Sequence, residues 1–320
     1  MTTTDDQPPE ISVVVPSYNR ARLLPHVLAG LEAQTLDASR FEVIVVDDGS
    51  DDDTAVVLKE LAEHTRLRLR VVRTSNGGAA RARNVGWQTS TAELVAFIDD
   101  DCVAAPGWLE AGLSMLGTYA RLGVVQGRTV VPDGAEIGDW TTTREVRAAS
   151  PFFESHNIFY RRTALEQAGG FDESLGLYGE DTALGWAVLE YGWERGFCDD
   201  AQVVHETVER GVRWHARFTY VSERNLVGVA ARFPAFRSSA FWRPWAFQRH
   251  HAYYALAVTG IGLSFWRRPL ALLAVPYFWV RRPPSHHARY AALVGERLAV
   301  DTGGFLGRKV GAVRYRLPVL

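Results

Sequence analysis

Cysteine is nearly absent from this 320-residue chain: only Cys102 and Cys198 occur. Two thiols make one bridge at most, and neither lies in a CxxC pair or a zinc-type spacing, so a disulfide scaffold is excluded. That usage suits a reducing cytoplasm, and Cys102 reads as packing rather than chemistry. Long apolar runs are also missing. The two apolar runs of the C-terminal region, residues 252–266 and 270–280, each fall short of the roughly 20 residues a helix needs to span a bilayer. Residues 1–9 are polar and Pro-containing, without the basic region and apolar core of a secretory signal, and disorder is expected through residue 10. The GxGxxG turn of a dinucleotide oxidoreductase is missing after the first apolar run, where the chain reads Pro16-Ser17-Tyr18-Asn19-Arg20.

The hydrophobic fraction, 47%, is ordinary for a globular protein with a sizeable core. The net charge of −2 hides an asymmetry. Residues 236–320 carry thirteen Lys/Arg and two acids, a net of +11, and the remaining 235 residues carry a net of −13. Such a split points to an acidic or metal-binding body with a basic tail that meets phosphates.

Ile11-Ser12-Val13-Val14-Val15 is a short apolar run ended by Pro16 and reads as a buried strand. Leu23, Leu24, Val27, Leu28 and Leu31 follow at helical spacing. Residues 41–46 form a second strand ending in Asp47-Asp48-Gly49-Ser50, and Asp51 to Asp53 supply caps for a helix over 54–64. A third strand over 67–72, the turn Asn76-Gly77-Gly78 and a helix over 79–88 lead to a fourth strand, Leu94-Val95-Ala96-Phe97-Ile98. This rhythm predicts an α/β fold, a Rossmann-like, mostly parallel sheet flanked by helices. Ligands collect outside the carboxyl ends of such strands, and three of the four ends carry polar clusters. Beyond Pro106 the pattern loosens, with strands expected near 123–131, 157–162 and 197–205 and a helix near 181–191.

The most informative cluster is Asp99-Asp100-Asp101, directly after the fourth strand. Three like charges there repel one another unless something positive sits among them. Either a divalent cation clamps a diphosphate against these hard oxygens, or the tripeptide is a solvated acidic turn.

Taken in order, the motifs resemble the family-2 glycosyltransferases, which have the A-type nucleotide-sugar transferase (GT-A) fold. They are Val15-Pro16-Ser17-Tyr18-Asn19-Arg20, Val45-Val46-Asp47-Asp48-Gly49-Ser50, Asn76-Gly77-Gly78 with Ala82-Arg83-Asn84-Val85-Gly86, and Asp99-x-Asp101. Asn157-Ile158-Phe159-Tyr160-Arg161-Arg162, Gly169-Gly170-Phe171-Asp172-Glu173 and Gly179-Glu180-Asp181 follow. Each is weak to moderate alone, and seven in sequence cover about 11–205. The resemblance implies a catalytic domain over 11–235 that moves a sugar from a nucleoside diphosphate, expected to be a UDP-sugar, to an acceptor hydroxyl with inversion. The acceptor class stays open among glycan, lipid-linked and small-molecule hydroxyls.

The same resemblance assigns roles. Asp48 would accept a hydrogen bond from the base, with Pro16 and Tyr18 framing it, and Arg83, rather than Arg81, would face the nucleotide. Asp99 and Asp100 would border the donor, Asp99 meeting the ribose or a metal-bound water. Asp101 would hold the Mn²⁺ or Mg²⁺ ion, which stabilises charge on the departing diphosphate. Asp181 would be the general base, with Glu180 beside it at a helix start that favours negative charge. Acids at that position also serve simply as caps. His205 would be a second protein ligand to the metal, although a lone histidine after a strand is also a common packing residue. Asn157 and Arg161 would lie near the donor sugar or diphosphate. Trp186 and Trp193 read as core more than as sugar platforms, and His156 has no assigned role.

Residues 236–320 lie outside the resemblance and are expected to form a basic, amphipathic helical region rich in aromatics and arginine. Arg249, Arg267-Arg268 and Arg281-Arg282 flank its apolar runs. A spanning hairpin would put Arg267-Arg268 on the far side, against the positive-inside bias. A shallow hairpin keeps every arginine on one side, with Trp242, Trp245, Trp266, Tyr277 and Trp279 at headgroup depth. The expected location is therefore cytoplasmic, peripheral to an anionic plasma-membrane surface through 241–282, with no nucleic-acid partner. A helical subdomain packed on the body, or a dimer contact, is the alternative.

Two rival functions remain. Asp99-x-Asp101-x-Val103 formally fits the DxDx[TV] signature of haloacid-dehalogenase phosphatases, which require a downstream lysine. The two lysines here are Lys59, upstream, and Lys309, deep in the tail. A non-catalytic sugar-nucleotide binder or scaffold keeps the same motifs, and donor turnover separates it from an enzyme.

Overall fold

In the computed structural model, residues 8–282 and 290–319 are described. The disorder expected over 1–10 falls mostly outside them, while Glu10 is held by Arg40 through two side-chain hydrogen bonds of 2.6 and 2.9 Å. The chain divides into two compact units, Met1–Ile137 with Thr141–Val208, and Gly138–Trp140 with Glu209–Leu320. The change of unit thus falls ahead of the 235/236 boundary suggested by composition.

The first unit is built on an eight-stranded sheet. Its strands in chain order are β1 (Ile11–Ser17), β2 (Phe41–Asp47), β3 (Leu69–Arg73), β4 (Leu94–Ile98), β5 (Cys102–Ala104) and β6 (Leu122–Val130), then, past the two-residue β7 (Thr141–Thr142), β8 (Asn157–Arg161) and β9 (Glu194–His205). The spatial order is β3-β2-β1-β4-β8-β6-β9-β5. β3, β2, β1 and β4 are mutually parallel, β8 runs antiparallel to β4 and β6, and β9 is parallel to β6. Helices α1 (Leu24–Glu32), α2 (Thr54–His64), α3 (Ala79–Thr89), α4 (Trp108–Thr118), α5 (Arg162–Ala168) and α6 (Glu180–Glu190) flank it. The Rossmann-like, mostly parallel sheet expected from the sequence is therefore the observed fold.

Burial explains why the central strands are fixed. Ile11, Val13, Val14 and Val15 have no exposed surface, nor do Val43, Ile44, Val45 and Val46. Each such side chain contributes roughly 1.5–3 kcal/mol on burial. That outweighs strand propensity, whose whole range is about 1 kcal/mol. The parallel register then aligns the strand ends: Ser17 lies beside Asp47, and Val14 beside Phe97. The polar residues that follow β1, β2 and β4 accordingly leave the sheet on one rim.

The second unit is helical: α7 (Val212–Arg232), α8 (Pro234–Ala240), α9 (Arg249–Leu263), a 3₁₀ segment (Arg268–Ala274), α10 (Val275–Arg281) and α11 (Tyr290–Tyr315). α7 and α11 approach closely because Gly303, Gly307 and Gly311 of α11 face the backbone of Ala216, Tyr220 and Arg224, where any Cβ would collide. This pairing ties α7 to the tail, although the sequence texture changes only after it. Among the described residues no helix is long and apolar enough to cross a membrane.

Candidate functional site

The rim at the ends of β1, β2 and β4 opens into a cavity of about 450 Å³. Pro16, Tyr18, Asp48, Arg83, Asp99, Asp100 and Asp101, all singled out from the sequence, line it together with Leu177.

Local chain geometry holds the walls. After β1 the backbone turns at Asn19, whose φ is 55°. Its N–H donates to Ser50 Oγ at 2.9 Å, and its side-chain oxygen accepts from Asp51 N–H at 2.9 Å. Asp52, not Asp51 or Asp53, accepts the Thr54 N–H at the start of α2, at 2.9 Å. Asp47 is structural: it accepts the Ser50 N–H at 2.8 Å and pairs with Arg73 at 3.1 Å. Asp48 faces the glycine turn, accepting from Gly77 N–H (3.0 Å), Gly78 N–H (2.7 Å) and the Thr74 hydroxyl (3.1 Å). Three donors leave about one of a carboxylate's four acceptor positions open.

Arg83 is the hub. Its buried guanidinium donates to Asp99 Oδ1 at 2.7 Å and to Glu180 Oε1 at 3.2 Å, with Phe171 beneath it at 5.7 Å. Burial pushes the Asp99 carboxyl up, but Arg83, followed by weaker contributions that include His156 and His205, outweighs this and holds Asp99 below the usual carboxylate range. Burial raises Glu180, with Arg83 opposing. Asp100 lacks such a close partner. Burial and then the Asp101 charge push it up to about 8 against the pull of Arg20, whose Nε is 3.7 Å away.

Asp181 lies within electrostatic reach of Arg83 and Glu180, although neither acid is among the residues that line the cavity. Tyr178 and Gly179, at φ 70° and 96°, turn the chain into α6. Thr182 Oγ donates to Phe152 O at 2.8 Å and Trp186 Nε1 to Pro151 O at 2.9 Å, while Gly185 leaves room for the Phe153 ring. Burial, then Glu180 and Glu154, push Asp181 up to about 8.

His205, at the end of β9, pairs in register with Cys102 beside the acidic cluster. Its Nδ1 lies 2.7 Å from Glu206 O. A carbonyl can only accept, so Nδ1 carries the proton, and in the neutral ring the Nε2 lone pair faces Asp101 Oδ1 at 3.5 Å. Two acceptors confronting each other fit a cation between them. Imidazole and carboxylate suit Mn²⁺ or, with less preference for the nitrogen, Mg²⁺. Cys102 Sγ joins this cluster, its ligand atom within 4.8 Å of theirs. Burial and the three aspartates push its thiol well above the ordinary range, so it is a poor thiolate donor. His156, left without a role by the sequence, packs edge-on to His205 at 5.2 Å. Burial, then His205, lower it to about 3, and its Nε2 meets Thr129 Oγ1 at 3.0 Å. It fixes the His205 ring as a neutral packing partner.

Two residues expected near the donor do not line the cavity. Asn157 does not present its amide to the cavity. The side chain accepts from Trp108 Nε1 at 2.8 Å and donates to Arg128 O and Ala201 O at 2.8 and 2.9 Å, cross-linking strands. Arg161 is at the wrong end of the sheet. It pairs with Leu94, where β4 begins, whereas the aspartates follow Ile98. Its guanidinium caps the carbonyls of Leu116, Tyr119 and Leu122. Both motif positions lie on a strand antiparallel to β4, a direction that motif order does not reveal. Trp186 is core, 8% exposed, and Trp193 packs on Gly123 with its Nε1 on Gln167, so neither lines the cavity. Leu177, which does, had no distinguishing signal beyond its place before Gly179-Glu180-Asp181.

The model of Glycosyl transferase family 2 matches residues 12–173, and that of Glycosyl transferase family group 2 matches residues 94–295. The validoxylamine A glucosyltransferase of Streptomyces hygroscopicus subsp. jinggangensis is 40% identical over 222 residues, covering 58% of this chain and 52% of that protein. Glycosyltransferase AglE of Haloferax volcanii is 29% identical over 205 residues, covering 62% of this chain and 67% of that protein. The match thus spans about half to two thirds of these relatives' length. Among solved structures, mannosyltransferase PcManGT from Pyrobaculum calidifontis, in complex with GDP-Man and Mn²⁺, superposes with a TM-score of 0.63 at 21% identity, covering 98% of this chain and 88% of that one. Staphylococcus aureus TarS 1–349 in complex with UDP gives a TM-score of 0.52 at 18% identity, covering 95% and 91%. These likenesses establish a shared GT-A fold. With a family model matching half of its length and the motifs that follow β1 to β4 gathered on one rim, the chain belongs to glycosyl transferase family 2.

Proposed function

We propose that this chain is a metal-dependent, inverting glycosyltransferase that moves a hexose from a nucleoside diphosphate, a UDP-sugar in the first instance, to an acceptor hydroxyl. The observation that carries this reading is the Arg83 bridge. One cavity-lining guanidinium joins Asp99, at the end of β4, to the buried Glu180, at the start of α6, and so ties carboxylates from distant stretches of chain to one wall of the cavity. The solved neighbours that hold GDP-Man and UDP support the donor class.

Pro16 and Tyr18 frame the base, and Asp48 offers it the acceptor position left by Gly77, Gly78 and Thr74. Arg83 pairs with both Asp99 and Glu180 and favours the ionised form of Asp99 beside a diphosphate. A divalent cation held by Asp101 and His205, with Asp99 at its border, would supply Lewis-acid stabilisation of the departing diphosphate. The imidazole favours Mn²⁺ over Mg²⁺. Glu180 is committed to Arg83, which leaves Asp181 as the base. Its carboxylate takes the acceptor's hydroxyl proton as that oxygen bonds to the anomeric carbon and the bond to the diphosphate breaks on the opposite face. A carboxyl pushed up to about 8 is a stronger base than an ordinary aspartate and is poised near neutral pH. Nucleotide-sugar chemistry and two free cysteines suit a cytoplasmic site of action.

The test is a panel of nucleotide sugars with Mn²⁺, read as thermal stabilisation and as release of nucleoside diphosphate. One donor should raise the melting temperature and be slowly hydrolysed. Asp181→Asn should abolish transfer and keep the stabilisation. Wild-type turnover by that variant would remove Asp181 from its role, and no diphosphate release with any donor would leave only a binding protein.

A further inference from the structure

The second unit carries a surface that the proposed chemistry does not use. At the end of α9, Phe265 and Trp266 are 89% and 86% exposed, and Leu272, Val275 and Trp279 follow at 69%, 55% and 64%. The opposite side of this hairpin is fastened: Tyr277 is buried and donates to Asp301 at 2.8 Å, and Arg281 binds the same carboxylate at 2.7 and 2.9 Å. Tyr254 packs on Tyr277 and Phe305 from within. The hairpin therefore has one face bound into the unit and another of large apolar side chains turned to solvent. Exposed apolar groups this closely spaced mark an interaction surface.

Charge identifies the partner. Residues 236–282 contain seven arginines and no acid. Arg267 and Arg268 directly follow the Phe265-Trp266 tip and are exposed. Arg282 stacks on Trp279, its guanidinium carbon 4.0 Å from the ring centroid. Aromatic and aliphatic side chains projecting among cations match the boundary between acyl chains and anionic headgroups. We infer that the tip formed by the end of α9, the 3₁₀ segment and α10 docks on an anionic bilayer surface, with Phe265, Trp266, Leu272 and Trp279 entering the interface and Arg267, Arg268 and Arg282 meeting lipid phosphates. Tyr277, expected from the sequence at headgroup depth, instead anchors the hairpin from inside. The docking is shallow, since no described helix can cross.

The experiment uses the full chain and flotation with phosphatidylcholine vesicles, with and without phosphatidylglycerol. The protein should float with the anionic vesicles at low salt, with a blue shift in tryptophan emission, and less at high salt as the screening length shortens. Phe265→Ser with Trp266→Ser should lower the partition at least about tenfold. Arg267→Glu with Arg268→Glu should remove the preference for phosphatidylglycerol. Unchanged circular dichroism melting confirms that the variants are folded. The inference is overturned if the wild-type chain stays at the bottom with both vesicle types at low salt, or if the variants float like the wild type. It is equally overturned if sedimentation velocity shows a dimer, lost on Phe265→Ser with Trp266→Ser, in place of vesicle binding.

Discussion

His205 Nε2 and Asp101 Oδ1 face each other at 3.5 Å, while the other nitrogen of the same ring is committed to Glu206 O at 2.7 Å. The pairing joins the end of β9 to the residue three past β4. If it is half of a cation site, His205→Ala should raise the Mn²⁺ concentration for half-maximal activity by at least about tenfold, since even outer-shell partners of metal ligands are worth that much. Titration of Mn²⁺ against turnover and against melting temperature checks this, with nucleotide binding in chelator as the unaffected control.

Arg83→Met should be strongly destabilising. It strands the buried Glu180 carboxylate and the half-buried Asp99, and breaking one side of a buried ion pair costs about 3–5 kcal/mol. Arg83→Lys should recover little, because an ammonium cannot span Asp99 and Glu180 as the guanidinium fork does. Urea denaturation of the variants, with Glu180→Met added to Arg83→Met, should show the double variant losing less than the two single losses combined.

Acidity gives a third expectation. Asp181 and Asp100 are both raised from the ordinary range to about 8. A carboxyl raised on folding contributes stability that is full below its unfolded value, near 4, and is lost as pH rises through the folded value. With divalent ions removed by chelator, this contribution to the melting temperature should therefore fall between about pH 4 and pH 8, and Mn²⁺ should flatten the decline. Transfer itself should show an acid limb that moves with the ionisation of Asp181, seen in kcat/KM against pH.

Arg161→Ala separates motif from geometry. If Arg161 served the donor, KM for the nucleotide sugar should rise steeply. Its guanidinium instead caps three carbonyls at the far rim. The structure predicts a lower melting temperature with donor KM unchanged within about twofold, because each lost hydrogen bond to a charged group is worth about 1.5–3 kcal/mol of stability.

Gly185→Ala tests how α6 is held. A methyl there meets the Phe153 ring. Overpacking of this kind costs about 1–3 kcal/mol and shifts backbone. Both stability and turnover should fall, and Phe153→Leu on the same background should restore part of each.

Much of the nucleotide half was legible in the sequence. The β4 run over 94–98 and the α2 helix over 54–64 have the bounds that the sequence gives, because each is a local pattern, a continuous apolar run buried on both faces and a helix that starts after a run of acids. β5, α4 and α5 were not seen. Cys102–Ala104 is three residues long and is a strand only because β9 pairs with it. Trp108–Thr118 sits between Gly107 and Tyr119 without a side-chain cap to announce it.

The sequence by itself determined the chemical inventory: an acidic cluster after a buried strand, acids before a helix, and a basic aromatic tail poor in carboxylates. Periodicity and composition are local properties, so they survive reading one residue at a time. The tertiary structure decided which of those groups meet. It joined Arg83 to both Asp99 and Glu180, set His205 against Asp101, withdrew Asn157 and Arg161 into the framework, and turned Tyr277 inward and Trp266 outward. Each of those outcomes depends on strand direction, register and a partner far along the chain, which hydrogen-bond satisfaction and packing select only once the whole fold has closed.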